Sequence, residues 1–187
     1  MKTALILVGL AAAAVTVLEC GHQYLRIKRG ISAQRDAARD EWNGVGKALD
    51  RRAALISRLA ANKGLGEDAA AAARDVSAAR QALASAHTPR EKLAANRRLS
   101  TVLGRLLADA GRNPRMRSDK AFAQWQEELA TCDNQVAVAR SRYNRVLEKY
   151  NARIQRFPDR LVASVAGFRR DSAYFQTGDG LPESSGK

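Results

Sequence analysis

The sequence predicts an all-α fold, a long antiparallel bundle of about four helices preceded by an N-terminal transmembrane helix. Three observations carry that prediction. Alanine and arginine dominate a composition that is 5% aromatic, has 4 prolines and is 45% apolar, and these are good helix formers. Apolar residues recur at three- and four-residue spacing over most of the chain, with no strand-like alternation. The first residues form one uncharged apolar run.

That run, Thr3 to Leu18, is 16 residues long. As a helix it spans about 24 Å, a little short of a hydrocarbon core of about 30 Å. Lys2 can snorkel at one end and Tyr24 can sit at the other interface. An uncleaved anchor over residues 1–25 is the preferred reading. A cleaved signal peptide stays open, because Ala11 to Ala14 offer small residues for cleavage. A lipoprotein anchored at Cys20 is the weakest, since Glu19 precedes that cysteine. Arg26, Lys28, Arg29, Arg35 and Arg39 follow the run, against Lys2 before it. The positive-inside rule then places the main domain in the cytoplasm, and a cleaved signal would place it outside.

The first bundle helix is expected from about Gln23 to Ala61, with Trp42, Val45, Leu49, Leu55, Ile56 and Leu59 on one stripe. Gly64 and Gly66 break it, and Glu67 and Asp68 suit the start of a second, alanine-rich helix. That helix can pack closely but buries little area. Thr88, Pro89 and Glu91 read as N-cap, first residue and third residue of a third helix, close to a capping box. Leu93, Leu99, Val102, Leu103, Leu106 and Leu107 form its stripe. After a loop around Pro114, Ser118 resembles the N-cap of a fourth helix running to about Arg156. Pro158 interrupts it, and a short helix follows. The bundle is thus expected over residues 26–175, with residues 176–187 a polar disordered tail.

The fourth helix carries a heptad-spaced pattern, Tyr143-Asn144 and then Tyr150-Asn151, with Phe157 seven residues further on. At about 100° per residue, Tyr143, Val146, Leu147, Tyr150, Ile154 and Phe157 share one apolar stripe, read as a bundle seam. The aromatics would fill space left by the alanine-rich helix. Asn144 and Asn151 fall about 90° to one side. They read first as a polar ladder bonding a neighbouring helix, with a ligand site as the minority reading. On the other flank Arg142, Arg145, Lys149, Arg153, Arg156 and Arg160 line up with almost no acids among them. This is the candidate interaction surface. It suits anionic headgroups or an acidic protein, unless Glu127, Glu128 or Asp109 on neighbouring helices neutralise it.

The same stretch resembles the C-terminal signature of the LemA family, an AR-x-x-YN-x-x-V-x-x-YN-x-x-I-x-x-FP-x-x-L core ending in GF. Ala139, Arg140, Tyr143, Asn144, Val146, Tyr150, Asn151, Ile154, Phe157, Pro158, Leu161, Gly167 and Phe168 carry the match. Trp42, Arg51, Arg52, Leu55 and Ile56 resemble the family's first helix, and the whole resemblance covers about residues 27–175. The family's "LIPNLV" is "LISRLA" here, its "TEN" reads Cys132-Asp133-Asn134, and its Tyr-Pro loop reads Asn113-Pro114. The resemblance implies a bacterial envelope protein with an N-terminal membrane segment, and it brings no catalytic residues.

Nothing else in the chain points to catalysis. There is no H-E-x-x-H pair, nucleophile elbow or glycine-rich phosphate loop. Cys20, Cys132, His22 and His87 form no metal-ligand pattern, so no cofactor is expected. The net charge of +13 suggests an acidic partner. The leading expectation is a single-pass protein of the bacterial inner membrane that docks protein partners as a scaffold. Anionic lipid binding is the alternative. Nucleic acid is not expected, because no exposed aromatics interleave with the basic residues. Self-association through a long seam stays open.

Overall fold

A computed structural model describes residues 2–61 and 69–175. Among these there are six helices and no strand: α1 (Lys2–Ala60), α2 (Ala69–Ala84), α3 (Pro89–Arg112), α4 (Pro114–Arg117), α5 (Lys120–Gln155) and α6 (Asp159–Val165). The expected glycine break at 64–66, the acidic start at 67–68 and the tail at 176–187 lie outside the described residues. The helix expected to begin near Gln23 is one with the N-terminal run, because α1 is continuous from Lys2 to Ala60.

The helix starts follow local chemistry. Thr88, in an extended conformation, accepts a hydrogen bond from the Glu91 N–H at 3.3 Å. The Glu91 carboxylate accepts from the N–H groups of His87 and Thr88 at 2.8 and 3.1 Å. The capping box satisfies donors that the first turn of α3 leaves open. Those same backbone bonds hold the Glu91 carboxyl below the ordinary carboxylate range. Asn113 caps α4 in a similar way, its side chain accepting from the Arg115 N–H at 3.0 Å. The expected cap at Ser118 is corrected. Ser118 closes the C-terminus of α4, its N–H donating to Pro114 at 3.3 Å. Asp119 caps α5 instead, accepting from the Ala121 N–H at 2.8 Å. The one-residue shift arises because Pro114 starts a short turn of its own.

The chain divides into two compact units, Met1–Arg39 with Arg145–Asp171, and Asp40–Asn144 with Ser172–Lys187. In the second, α1 and α5 run antiparallel. Trp42 meets Tyr143, Arg52 meets Asp133 and Arg58 meets Glu128, so numbers rise along one helix as they fall along the other. Helices α2 and α3 form a hairpin, with Asp75 and Arg105 3.6 Å apart. Val45, Leu49, Ile56 and Leu59 of α1 are buried, as are Leu93, Leu99, Leu103 and Leu106 of α3 and Trp125, Leu129 and Val136 of α5. Helix α2 buries Val76, Ala79 and Leu83, a small contribution at about 1.5–3 kcal/mol for each large apolar side chain. The Trp125 indole N–H, buried, donates to the Leu55 carbonyl at 2.8 Å.

In the first unit, Ile31 and Ala38 of α1, Leu147, Tyr150 and Ile154 of α5, and Val162 and Ala163 of α6 are buried. The Arg153 guanidinium lies so close over Gly30 that a Cβ there would overlap it. Arg153 also holds Asp159, the first residue of α6, at 2.7 Å. Residues 9–20 of α1 are all exposed. Among the described residues no helix is long and apolar enough to cross a membrane. The side chains of residues 1–6 and of Val8, part of the N-terminal run, lie outside the described ones.

Candidate functional site

Helix α5 presents three sets of side chains. On the apolar stripe, Tyr143, Leu147, Tyr150 and Ile154 are buried, and Val146 is half-buried. Phe157 departs from that stripe, with 73% of its surface exposed. The reason is that α5 ends at Gln155, so the helical register that aligned Phe157 with the seam stops before it.

The two asparagines bond a segment other than the one expected. Their partner is the extended chain after α6, not a neighbouring helix. In the unit built on Arg145–Asp171, the Asn151 Nδ2 donates to the Asp171 carbonyl at 2.6 Å, and the Asp171 N–H donates back to Asn151 Oδ1 at 3.0 Å. The Tyr150 hydroxyl donates to the Arg169 carbonyl at 2.9 Å. Burial pushes that hydroxyl's pKa up, with Asp171 adding to the rise and Arg35 opposing it. In the other unit, Asn144 Nδ2 donates to the Phe175 carbonyl at 2.6 Å, and Asn144 Oδ1 accepts from the Phe175 N–H at 2.9 Å. Each amide thus grips both backbone groups of one residue, as a strand partner would. Periodicity placed the asparagines on the seam's edge but held no information about the return of residues 169–175.

Phe175, also buried, completes an aromatic cluster. Its ring lies 5.8 Å from Trp42 and 5.5 Å from Tyr143, edge-on to the latter. The Arg140 guanidinium sits 5.2 Å from the Phe175 ring centre. Such contacts add to plain burial because the cation and the ring edges meet the negative ring faces. Tyr143 therefore packs on Trp42 of α1 and on Phe175.

The basic flank is placed residue by residue. Arg142 is exposed, in the unit of Asp40–Asn144. Arg145, Lys149, Arg156 and Arg160 are exposed in the other unit. Arg153 is drawn inward by Asp159. Of the acids considered as neutralising partners, Glu128 pairs with Arg58 at 3.0 Å and Asp109 with Arg112 at 3.3 Å, and Glu127 makes no ion pair among the described residues. Among the described residues, Arg145, Lys149, Arg156 and Arg160 have no ion pair.

Sequence reasoning missed a buried polar network. Arg52 is fully buried, its Nε 2.6 Å from Asp133 and its Nη1 donating to Asn96 Oδ1 at 3.1 Å. Asn96 is also buried. A signal was present, since Arg52 lies on the stripe of Leu49 and Ile56, and Asn96 lies between Leu93 and Leu99. A polar residue on an apolar stripe needs a partner. Beside this network the buried Cys132 thiol has its pKa pushed up, first by burial and then by Asp133, with Arg52 and Arg51 opposing. An open cleft of about 480 Å³ is lined by Arg51, Glu127, Glu128, Cys132 and Gln135 among others. Among the described residues no group of His, Cys, Asp and Glu could hold a metal ion.

The model of the LemA family matches residues 41–184. Two curated proteins of Paramagnetospirillum magneticum, magnetosome proteins MamQ 2 and MamQ 1, are each 30% identical over 84 residues. That match covers 45% of this chain and 30% of each relative.

Proposed function

The chain belongs to the LemA family, and on that premise we propose that it is a membrane-anchored helical scaffold, with the apolar start of α1 in the bilayer and the bundle surface docking protein partners. One observation carries the membrane part. Leu7, Leu10, Val15, Val17 and Leu18 are 59–72% exposed on one unbroken helix. Exposed apolar area of this kind favours transfer out of water, at about 25 cal/mol per Å². The residues after the run favour a cytoplasmic bundle on the inner membrane.

The test is membrane fractionation together with reporters fused after Lys187 that are active on one side only. A membrane-bound, cytoplasmic C-terminus is expected. A chain that stays wholly in the soluble fraction would overturn the anchor, and an external C-terminus would overturn the orientation.

A second reading rests on Arg145, Lys149, Arg156 and Arg160, which have no ion pair among the described residues. It makes the basic flank a contact for anionic lipid, at about 1 kcal/mol per basic residue near the surface. A photo-crosslinker at Lys149 in intact membranes separates the two. Protein adducts support docking of partners, and adducts to lipid alone support the lipid contact.

A further inference from the structure

Helix α6 is amphipathic in an unusual sense. Val162 and Ala163 face inward and are buried, yet its exposed side, which carries Arg160 and Ser164, also holds large apolar residues. Leu161 is 54% and Val165 79% exposed, one helical turn apart, and Phe157, four residues before Leu161, is 73% exposed. A solvated surface helix carries polar residues at such positions. Here two large apolar side chains stand out one turn apart on α6 and Phe157 is exposed in the turn before it, with Arg156 and Arg160 exposed beside them.

The place of this ridge within its unit says what covers it. Asp159 opens α6 and is held by Arg153, whose guanidinium lies against Gly30 of α1. Leu25, the last large apolar residue exposed on α1, is five residues before Gly30, about 7.5 Å along the helix. The start of α6 therefore stands about 7.5 Å along α1 beyond Leu25. Arg26, Lys28 and Arg29, between the two, are exposed on α1. Asp159 is the one acid in residues 149–170, and it is already paired. An apolar ridge in a ring of cations repels a second copy of itself. It matches the boundary between anionic headgroups and acyl chains, where helices with apolar and basic faces lie flat.

We propose that α6 and the turn before it are a second, peripheral membrane contact. Phe157, Leu161 and Val165 enter the headgroup–acyl boundary of an anionic bilayer, and Arg156 and Arg160 meet the lipid phosphates. This rests on the membrane reading of α1 and adds to it. The contact fixes how the first unit stands on the surface, which a single anchoring helix leaves free to swivel.

The test uses the full chain with Cys20→Ser and Cys132→Ala, carrying one new cysteine and a fluorescent label, in phosphatidylglycerol–phosphatidylcholine vesicles with spin-labelled acyl chains. Labels at Leu161→Cys and Val165→Cys are expected to lose most of their emission to the acyl quencher and to be spared by iodide. A label at Leu10→Cys reports the anchor, and one at Gln81→Cys reports a solvated surface. Quenching at position 10 with none at 161 or 165 overturns the second contact and leaves the anchor standing. Quenching at none of these overturns both. Protection at 161 from lipid and iodide quenchers alike means a protein covers the ridge, which also overturns the proposal. Adding Arg156→Glu and Arg160→Glu should abolish quenching at 161 while position 10 keeps it. Persistence at 161 would overturn the role of the two arginines.

Discussion

Replacing Arg52 by methionine removes the one cation from a buried network that joins α1, α3 and α5. Arg52 is fully buried, and its partners are Asp133 at 2.6 Å and Asn96 at 3.1 Å. Breaking a buried ion pair from one side costs about 3–5 kcal/mol, because the remaining charge is left unpaired. The Asp133 side chain is 24% exposed and can regain some water, so the lower end applies, about 3 kcal/mol. For a chain of this size that is a fall in Tm of about 6–12 °C. Arg52 Nη2 has no hydrogen-bond partner among the described residues, so the native network is incompletely satisfied. Arg52→Met combined with Asn96→Leu and Asp133→Ala should therefore recover most of the loss, since apolar packing in place of a buried pair is commonly neutral or better. Thermal unfolding followed by far-ultraviolet circular dichroism, in one detergent for all variants, measures both. A single variant within about 1 kcal/mol of the parent, or a triple variant no better than the single, would refute the reasoning.

Other expectations concern local contacts. Gly30→Ala gains about 1 kcal/mol of helix propensity but pushes Arg153 off Asp159, a half-buried pair worth about as much; it should be near neutral alone and stabilising when Arg153 is already alanine. Asn144→Ala should expose the Phe175 amide to faster hydrogen exchange, since that N–H now donates to Asn144; unchanged exchange would show that the bond does not hold the segment. Thr88→Ala should cost about 1 kcal/mol. Because Glu91 is held below its ordinary pKa, its contribution is complete above about pH 4.3 and is lost as pH falls through the lowered value. Glu91→Gln should remove that acid-dependent part, as read by unfolding across a pH series. The Cys132 thiol, buried and raised in pKa, should resist alkylation at neutral pH until urea unfolds the chain, and equal rates with and without urea would count against that burial.

The local chemistry of the chain was legible without coordinates. The capping box at Thr88 and Glu91, the stripes of α1 and α3 and the buried face of α5 through Ile154 all follow from spacing over a few residues. So does the array of cations on α5 as a pattern. Helix existence and amphipathic faces depend on neighbours within one or two turns, which a sequence displays directly.

What only the tertiary structure decided are the partners of polar groups and the ends of patterns. Asn144 and Asn151 find theirs 31 and 20 residues away in the returning chain. Arg52 finds Asp133 81 residues away, turning an arginine on an apolar stripe into the centre of a network. Phe157 leaves the seam because α5 stops two residues before it, and the outward ridge of α6 becomes visible only once Val162 and Ala163 are seen to take the inner side. A buried hydrogen-bonding group must be satisfied by whatever segment folding brings beside it. Helical periodicity states where such a group points along its own helix, and only the packing of distant segments supplies what it meets there.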